Sequence, residues 1–144
     1  MGDTGDRAAL DAGAVQALIE ASPFSAFLGV RVLEVDAAGG RLVAEMRHRP
    51  EFSRQPGTTQ LHGGVVAAFA DTVGDYALGA IVGGAVPTID LRLDFLRPAS
   101  TPRILGTGIV RRKGRTLATV DVEVHDDAGR LVAVARGTYS AVTG

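Results

Sequence analysis

Residues 60–82 read QLHGGVVAAFADTVGDYALGAIV and form the most apolar stretch of the sequence. After two glycines this stretch is rich in alanine and aliphatic residues, which favours a helix of about twenty residues. Its length would suit a membrane span, but it contains Asp71 and Asp75, and each acid costs about 2.5–3.5 kcal/mol at a bilayer centre. We therefore predict that residues 63–82 form the buried central helix of a soluble protein.

The segments on both sides of this helix show the alternation of β-strands. Before it, residues 30–35 and 41–47 alternate around a turn that contains two glycines, which predicts a hairpin. After it, we expect four strands that pair antiparallel through short turns and wrap around the helix, so the fold class is α+β. These strands are rich in Val, Ile, Leu and Thr, and they cover Val86–Phe95, Ile104–Arg112, Thr116–His125 and Leu131–Val142.

Length and composition predict one domain. The chain has 144 residues, of which 46% are hydrophobic and 22% charged, as in an ordinary globular protein. We expect a single domain over residues 1–144, with an N-terminal extension at 1–25 and a core at 26–144. The extension should hold a short amphipathic helix over Ala8–Glu20 that stops at Ser22-Pro23. The first thirteen residues lack the basic start and apolar run of a signal peptide, so we expect a cytoplasmic protein.

Charge and the rarer residue types exclude several function classes. Fifteen basic and sixteen acidic residues leave a net charge of -1, so we expect neither nucleic acid nor a membrane as partner. There is no cysteine and there are only three histidines, so neither disulfides nor a metal site are expected. Any chemistry should use the chain's own groups without a cofactor.

A candidate site lies at the start of the central helix, in the triplet His62-Gly63-Gly64. The first N–H groups of a helix have no partner within it, and glycines allow a substrate carbonyl to approach them. Tight packing against the sheet would explain the same glycines. Asp71 strengthens the functional interpretation, because a carboxylate in a buried helix is costly unless it is paired or used as a base or nucleophile. A hydrogen bond to a neighbouring strand or subunit is the structural alternative for Asp71.

The spacing of these residues predicts an assembly. Gly63 and Asp71 are eight positions apart, hence about 12 Å along a helix, whereas a reacting carbonyl needs both groups within about 3 Å. One chain cannot supply both. If they act on one carbonyl, Asp71 must come from a second subunit, which predicts a two-fold symmetric homodimer with two shared sites.

Several strings along the chain resemble one family. HGGVVAAFADTVGDYAL, IDLRLDFLRPA, RRKGRTLATVDVEV and GRLVAVARGTYSAV are similar to the hotdog-fold acyl-CoA thioesterases of the phenylacetate-degradation (PaaI-like) type, from about Phe27 onward. The resemblance implies that a curved antiparallel sheet wraps the central helix and that two dimers form a tetramer. It implies that His62 opens the motif, that the Gly63 N–H binds the thioester carbonyl, and that Asp71 acts from the opposing subunit. It also implies that coenzyme A is part of the substrate rather than a cofactor.

This sequence departs from the family pattern at two positions. Six residues before the histidine, where the family commonly has Asn or Gln, this chain has Pro56, with Gln55 and Gln60 as displaced candidates. Four residues after the acid, where some members have Ser or Thr, it has Asp75, which could raise the pKa of Asp71, orient water or simply face solvent. The implied substrate and coenzyme A contacts are completed by Gly64, Thr72, Arg97, Arg112, Lys113, Gly114 and Arg115. A solvated hairpin tip is the alternative explanation for each of these cations.

Taken together, these features favour a thioester hydrolase that converts an acyl-CoA to the free acid and coenzyme A, with aryl and medium-chain acyl groups as candidates. One alternative is a hotdog dehydratase or hydratase that acts on 3-hydroxyacyl or enoyl thioesters. Another is a non-catalytic module that binds and senses acyl-CoA, which the displaced amide at Pro56 keeps open.

Overall fold

The computed structural model describes residues 7–144, so the first six residues of the predicted N-terminal extension lie outside the described residues. Residues 7–144 contain three helices and six strands, and within them a single 3-10 turn over Pro50–Phe52 interrupts the long loop before the central helix. In chain order the elements are α1 (Ala12–Ala21), α2 (Pro23–Leu28), β1 (Arg31–Asp36), β2 (Arg41–Arg47), α3 (Gly63–Val82), β3 (Thr88–Phe95), β4 (Arg103–Lys113), β5 (Leu117–Asp126) and β6 (Leu131–Ser140).

The six strands form one antiparallel sheet in the order β1-β2-β4-β5-β6-β3, and α3 packs against one face of it. Close approach between helix and sheet depends on Gly106 in β4, since a Cβ there would lie 2.8 Å from the side chains of both Phe69 and Val73. The α+β class and the hotdog arrangement of one long helix wrapped by a curved sheet are thus confirmed.

The central helix is long and apolar enough to cross a membrane by length and composition, and among the described helices it is the one that meets this criterion. Most of its apolar surface is buried within the fold, where Phe69, Ala70, Val73, Ala77 and Leu78 are each at most 1% exposed. The prediction of a buried core helix over residues 63–82 is therefore confirmed.

The prediction that the last four strands pair in succession is wrong for β3. This strand pairs with β6, with Leu91 opposite Gly137, and not with β4. The reason lies in residues 96–102, which do not form a tight turn. They cross to the loop before α3, where the Leu61 N–H donates to the Ala99 carbonyl at 3.0 Å. Strand β3 consequently lies at one edge of the sheet.

The N-terminal extension also differs from the prediction. The first helix begins at Ala12 rather than Ala8, because the Asp11 carboxylate accepts from the Ala14 N–H at 2.8 Å and caps it there. Pro23 ends the helical pattern of α1 and is also the first residue of α2, because proline suits the first turn of a helix. That second helix ends at Gly29, whose φ of 70° is favourable for glycine.

Candidate active site

The N-terminus of α3 presents an unshared backbone donor. The His62 Nδ1 accepts from the Gly64 N–H at 2.9 Å and caps the helix, while the His62 N–H donates to the Phe52 carbonyl at 2.8 Å. Within residues 7–144 the Gly63 N–H has no acceptor. It therefore remains available to an external oxygen at the positive end of a helix of 20 residues.

This donor borders a cavity of about 440 Å³ between the start of α3 and the end of β3. The ring of Phe95 lies so close to Gly63 that a Cβ at this position would be 3.3 Å from its Cζ, which is tight. The cavity brings together three predicted site residues, Gln60, Gly63 and Arg97. Its other lining residues carry no carboxylate: Arg54, Leu61, Val66, Phe95, Leu96, Pro98, Ala99 and Val132.

Asp71 is half-buried in the middle of α3 and accepts two hydroxyl donors from the sheet. The Thr88 Oγ1, at the start of β3, donates to Asp71 Oδ1 at 2.9 Å, and the Tyr139 hydroxyl on β6 is 3.3 Å from the same oxygen. Burial and the charge of Asp71 raise the pKa of Tyr139 above its usual value, so its hydroxyl remains a donor throughout the physiological range. The carboxylate is thus oriented from two neighbouring strands.

Two glycines make room for this tyrosine. A Cβ at Gly74 would overlap the Tyr139 hydroxyl, and a Cβ at Gly137 would overlap its ring. Sequence reasoning missed both Thr88 and Tyr139. Gly74 could have indicated a side chain packed closely against the helix, because a glycine within a helix costs about 1 kcal/mol relative to alanine and needs a packing reason.

Asp75 lies one helical turn after Asp71 and is directed at the chain that follows the helix. Its Oδ1 accepts from the Val86 N–H at 2.8 Å. Burial raises the pKa of Asp75 to about 7, the bond from Val86 opposes this shift, and the charge of Asp71 adds to it. Burial and the charge of Asp75 in turn raise the pKa of Tyr76. The sequence leaves three roles open for Asp75, of which one is simply to face solvent. Its carboxyl is half-buried and hydrogen-bonded, so this role does not describe it.

A sequence profile of the thioesterase superfamily matches residues 59–133, which is more than half of the chain. The chain belongs to the thioesterase superfamily. Mouse acyl-coenzyme A thioesterase 13 is 32% identical over 75% of this chain and 81% of its own length.

Solved structures agree with this membership. Zebrafish thioesterase superfamily member 2 superimposes with a TM-score of 0.80 at 30% identity, over 92% of this chain and 99% of that one. The Escherichia coli PaaI protein from the phenylacetic acid degradation operon has a TM-score of 0.77 over 94% and 98% of the two chains. At 24% identity this second likeness shows the fold alone. The resemblance to PaaI-like hotdog-fold thioesterases, which the sequence motifs indicated, is therefore confirmed.

Several of the predicted site residues do not line the cavity beside Gly63. Gln55 lines a separate cavity within the loop before α3. The buried Thr72 hydroxyl donates to the Ala68 carbonyl at 2.8 Å, and the Gly114 N–H donates to the Leu117 carbonyl at 2.8 Å. Gln60 is therefore the one of the two displaced amides that lies at the cavity.

The predicted cations divide between two places. Arg97 lines the Gly63 cavity, whereas Arg112, Lys113 and Arg115 are exposed at the turn between β4 and β5. Strand β4 begins at Arg103, four residues after Ala99, which lines the cavity, and at about 3.3 Å per residue it is roughly 33 Å long, with this turn at its far end. Among the described residues there is no group of three or more metal-ligating side chains.

Proposed function

We propose that this member of the thioesterase superfamily hydrolyses acyl-CoA to the free acid and coenzyme A. The unshared Gly63 N–H at the edge of a cavity of about 440 Å³ carries the proposal, because it is a preorganised donor for the oxygen of a thioester carbonyl. The carbonyl oxygen gains negative charge as the tetrahedral intermediate forms, and the positive end of α3 stabilises that charge. The name of the mouse relative, an acyl-coenzyme A thioesterase, supports the substrate class.

In this proposal Asp71 supplies the second half of the chemistry. Its carboxylate either removes a proton from a water molecule that attacks the thioester carbon, or attacks that carbon itself to form an acyl-aspartyl anhydride that water then hydrolyses. In both routes the thiolate of coenzyme A leaves and takes up a proton, and the acyl group is released as the free acid. The two donors on Asp71 Oδ1, Thr88 and Tyr139, orient the carboxylate and leave Oδ2 for water or substrate. His62 takes part indirectly, by capping α3 and keeping the Gly63 N–H in place.

We further propose a homodimer in which each site takes Gly63 from one subunit and Asp71 from its partner. Two features support this arrangement: the cavity beside Gly63 has no carboxylate among its lining residues, and Asp71 is about 12 Å farther along the same helix. Edge strand β3 and the residue after it offer the contact surface, since Ile89 and Phe95 in the strand are each 57% exposed and Leu96 is 51% exposed. Association of two such dimers into a tetramer completes the proposed assembly.

The nucleotide end of coenzyme A is proposed to lie against arginines from both subunits. Arg97 reaches it from the subunit that supplies Gly63, and Arg112, Lys113 and Arg115 reach it from the partner, because their turn is too distant within one chain. Arginine suits phosphate because its planar fork donates two parallel hydrogen bonds. The proposed reaction uses no cofactor, since coenzyme A is part of the substrate.

Replacing Arg97, Arg112 or Arg115 with alanine is expected to raise KM for acyl-CoA several-fold and to change kcat little. The nucleotide lies far from the thioester, so its contacts change little between ground and transition states. The effect should shrink at high salt and should be absent with an acyl-pantetheine thioester, which has no nucleotide phosphates. Arg41→Ala, which removes an arginine already paired with Glu34, is the matched control. An unchanged KM at low salt in all three variants would place the nucleotide elsewhere.

The hydrolysis itself is tested by measuring thiol release from a panel of aryl, short-chain, medium-chain and long-chain acyl-CoAs. We expect free coenzyme A and the free acid in equal amounts, with the acyl preference read from kcat/KM. Addition of water to an enoyl-CoA with the thioester intact would instead identify a hydratase. Tight binding of acyl-CoA without thiol release from any member of the panel would identify a binding module.

A further inference from the structure

The connection between α3 and β3 is held on two sides. The helix ends at Gly83, whose φ is 81°, and three residues later the Val86 N–H donates to Asp75 Oδ1 at 2.8 Å. The carbonyl of the next residue, Pro87, accepts from the Ser140 N–H of β6 at 2.9 Å. Residues 86 and 87 are therefore attached to the helix through Asp75 and to the sheet through Ser140.

Thr88 follows this anchored pair directly and is the first residue of β3. It lies opposite Tyr139 in the β3–β6 register, and the hydroxyl groups of both residues approach Asp71 Oδ1. The position of the Thr88 hydroxyl thus depends on where residues 86 and 87 are held. Within its own subunit Thr88 is exposed at a sheet edge, so packing inside that subunit does little to hold it.

We propose that Asp75 is a positioning residue for Asp71: its carboxyl holds residues 86 and 87 against α3 and thereby keeps the Thr88 hydroxyl on the Asp71 carboxylate. This inference rests on the proposed function, in which Asp71 is the base or nucleophile. Asp75 does not contact the reacting atoms and acts through Val86 and Thr88.

The strength of this anchor varies with pH. The titratable groups that interact with Asp75 are Asp71 and Tyr76 on α3 and Tyr139 on β6, and Arg7 lies beside Gly84 in the same connection. With a pKa of about 7, Asp75 is a carboxylate above neutral pH and accepts a strong, charge-assisted hydrogen bond from Val86. Below neutral pH it is a neutral acid, and the bond is weaker. Activity should therefore rise as the pH rises through about 7.

The first experiment compares the pH dependence of kcat in wild type, Asp75→Asn and Asp75→Leu. Asparagine keeps an acceptor for Val86 but cannot ionise, so the rise near pH 7 should disappear and kcat should stay at the low-pH level. Leucine removes the acceptor, and kcat should fall by about tenfold with KM changed less than about twofold. If the rise near neutral pH persists in Asp75→Asn, the proposal is wrong.

A second comparison separates positioning from a merely structural role. Thr88→Val removes the hydroxyl at nearly constant volume and should lower kcat. Because Asp75 is proposed to act through Thr88, the double variant with Asp75→Leu should have a kcat within about twofold of Thr88→Val alone. Effects that multiply instead would show that Asp75 acts independently of Thr88, which overturns the proposal.

A third measurement does not depend on activity. In wild type the amide signal of Val86 in ¹⁵N–¹H spectra should shift with pH around a midpoint near 7, and in Asp75→Asn this shift should be absent. If the shift is seen but no acyl-CoA is hydrolysed, the proposed function fails while the Asp75 anchor stands. If acyl-CoA is hydrolysed but the Val86 signal does not titrate, the positioning proposal fails and the function stands.

Discussion

Asp71→Asn is expected to lower kcat for acyl-CoA hydrolysis by at least about 100-fold, because an amide neither removes a proton from water nor attacks a thioester. The variant should fold normally. Its side chain has the same size, and its Oδ1 still accepts from the Thr88 and Tyr139 hydroxyl groups that hold the wild-type carboxylate. The measurement is steady-state thiol release at saturating acyl-CoA, with circular dichroism and thermal unfolding as checks on the fold.

Glu20→Gln is the matched control for this experiment. It makes the same change from carboxylate to amide on an exposed residue of α1, whose side chain accepts a hydrogen bond from Gln16. We expect its kcat to equal that of wild type. A near-normal kcat in Asp71→Asn would remove Asp71 from the mechanism, whatever the behaviour of the control.

The elements of this fold could be predicted because their periodicities are local. The central helix was predicted at its observed bounds, and the predicted strand Thr116–His125 differs from the observed β5, Leu117–Asp126, by one residue at each end. The pairing of β3 with β6 could not be predicted in this way, because strand order depends on contacts between distant residues. Only the path of residues 96–102 across the fold explains it.

The candidate site shows the same difference between what local sequence patterns predict and what contacts between distant residues decide. Gly63, Gln60 and Arg97 were predicted from a helix start and a family pattern, and the fold brings them to one cavity. Thr88 and Tyr139 were missed because they are 17 and 68 residues from Asp71 in sequence. In the sequence, a hydroxyl group on a strand carries no signal of function. Its role becomes visible only when the three-dimensional structure places it beside a carboxylate.

Mixing two inactive variants is expected to restore activity if each site is shared between subunits. Asp71→Ala removes the acid and keeps Gly63, whereas Gly63→Pro removes the backbone donor and keeps Asp71. Proline suits this test with one local adjustment, because its Cβ would lie 3.3 Å from the Cζ of the exposed Phe95 ring, which must shift by a few tenths of an ångström. It is tolerated at the first position of a helix, the Gly63 N–H has no acceptor within residues 7–144, and His62 already has the extended conformation, with ψ of 138°, that a residue before proline requires.

Each variant alone should be nearly inactive, since both of its sites lack one group. A heterodimer has one site with both groups intact and one site with neither. Random pairing makes about half of the dimers heterodimers, so the mixture should recover about one quarter of the wild-type activity. The control is a mixture of Asp71→Ala with Asp71→Asn, which has no complete site in any combination. Subunit exchange is verified by tagging the two chains differently, purifying through both tags and weighing the complexes by native mass spectrometry. If purified heterodimers of Asp71→Ala and Gly63→Pro remain inactive, Gly63 and Asp71 do not act on one thioester across the subunit boundary.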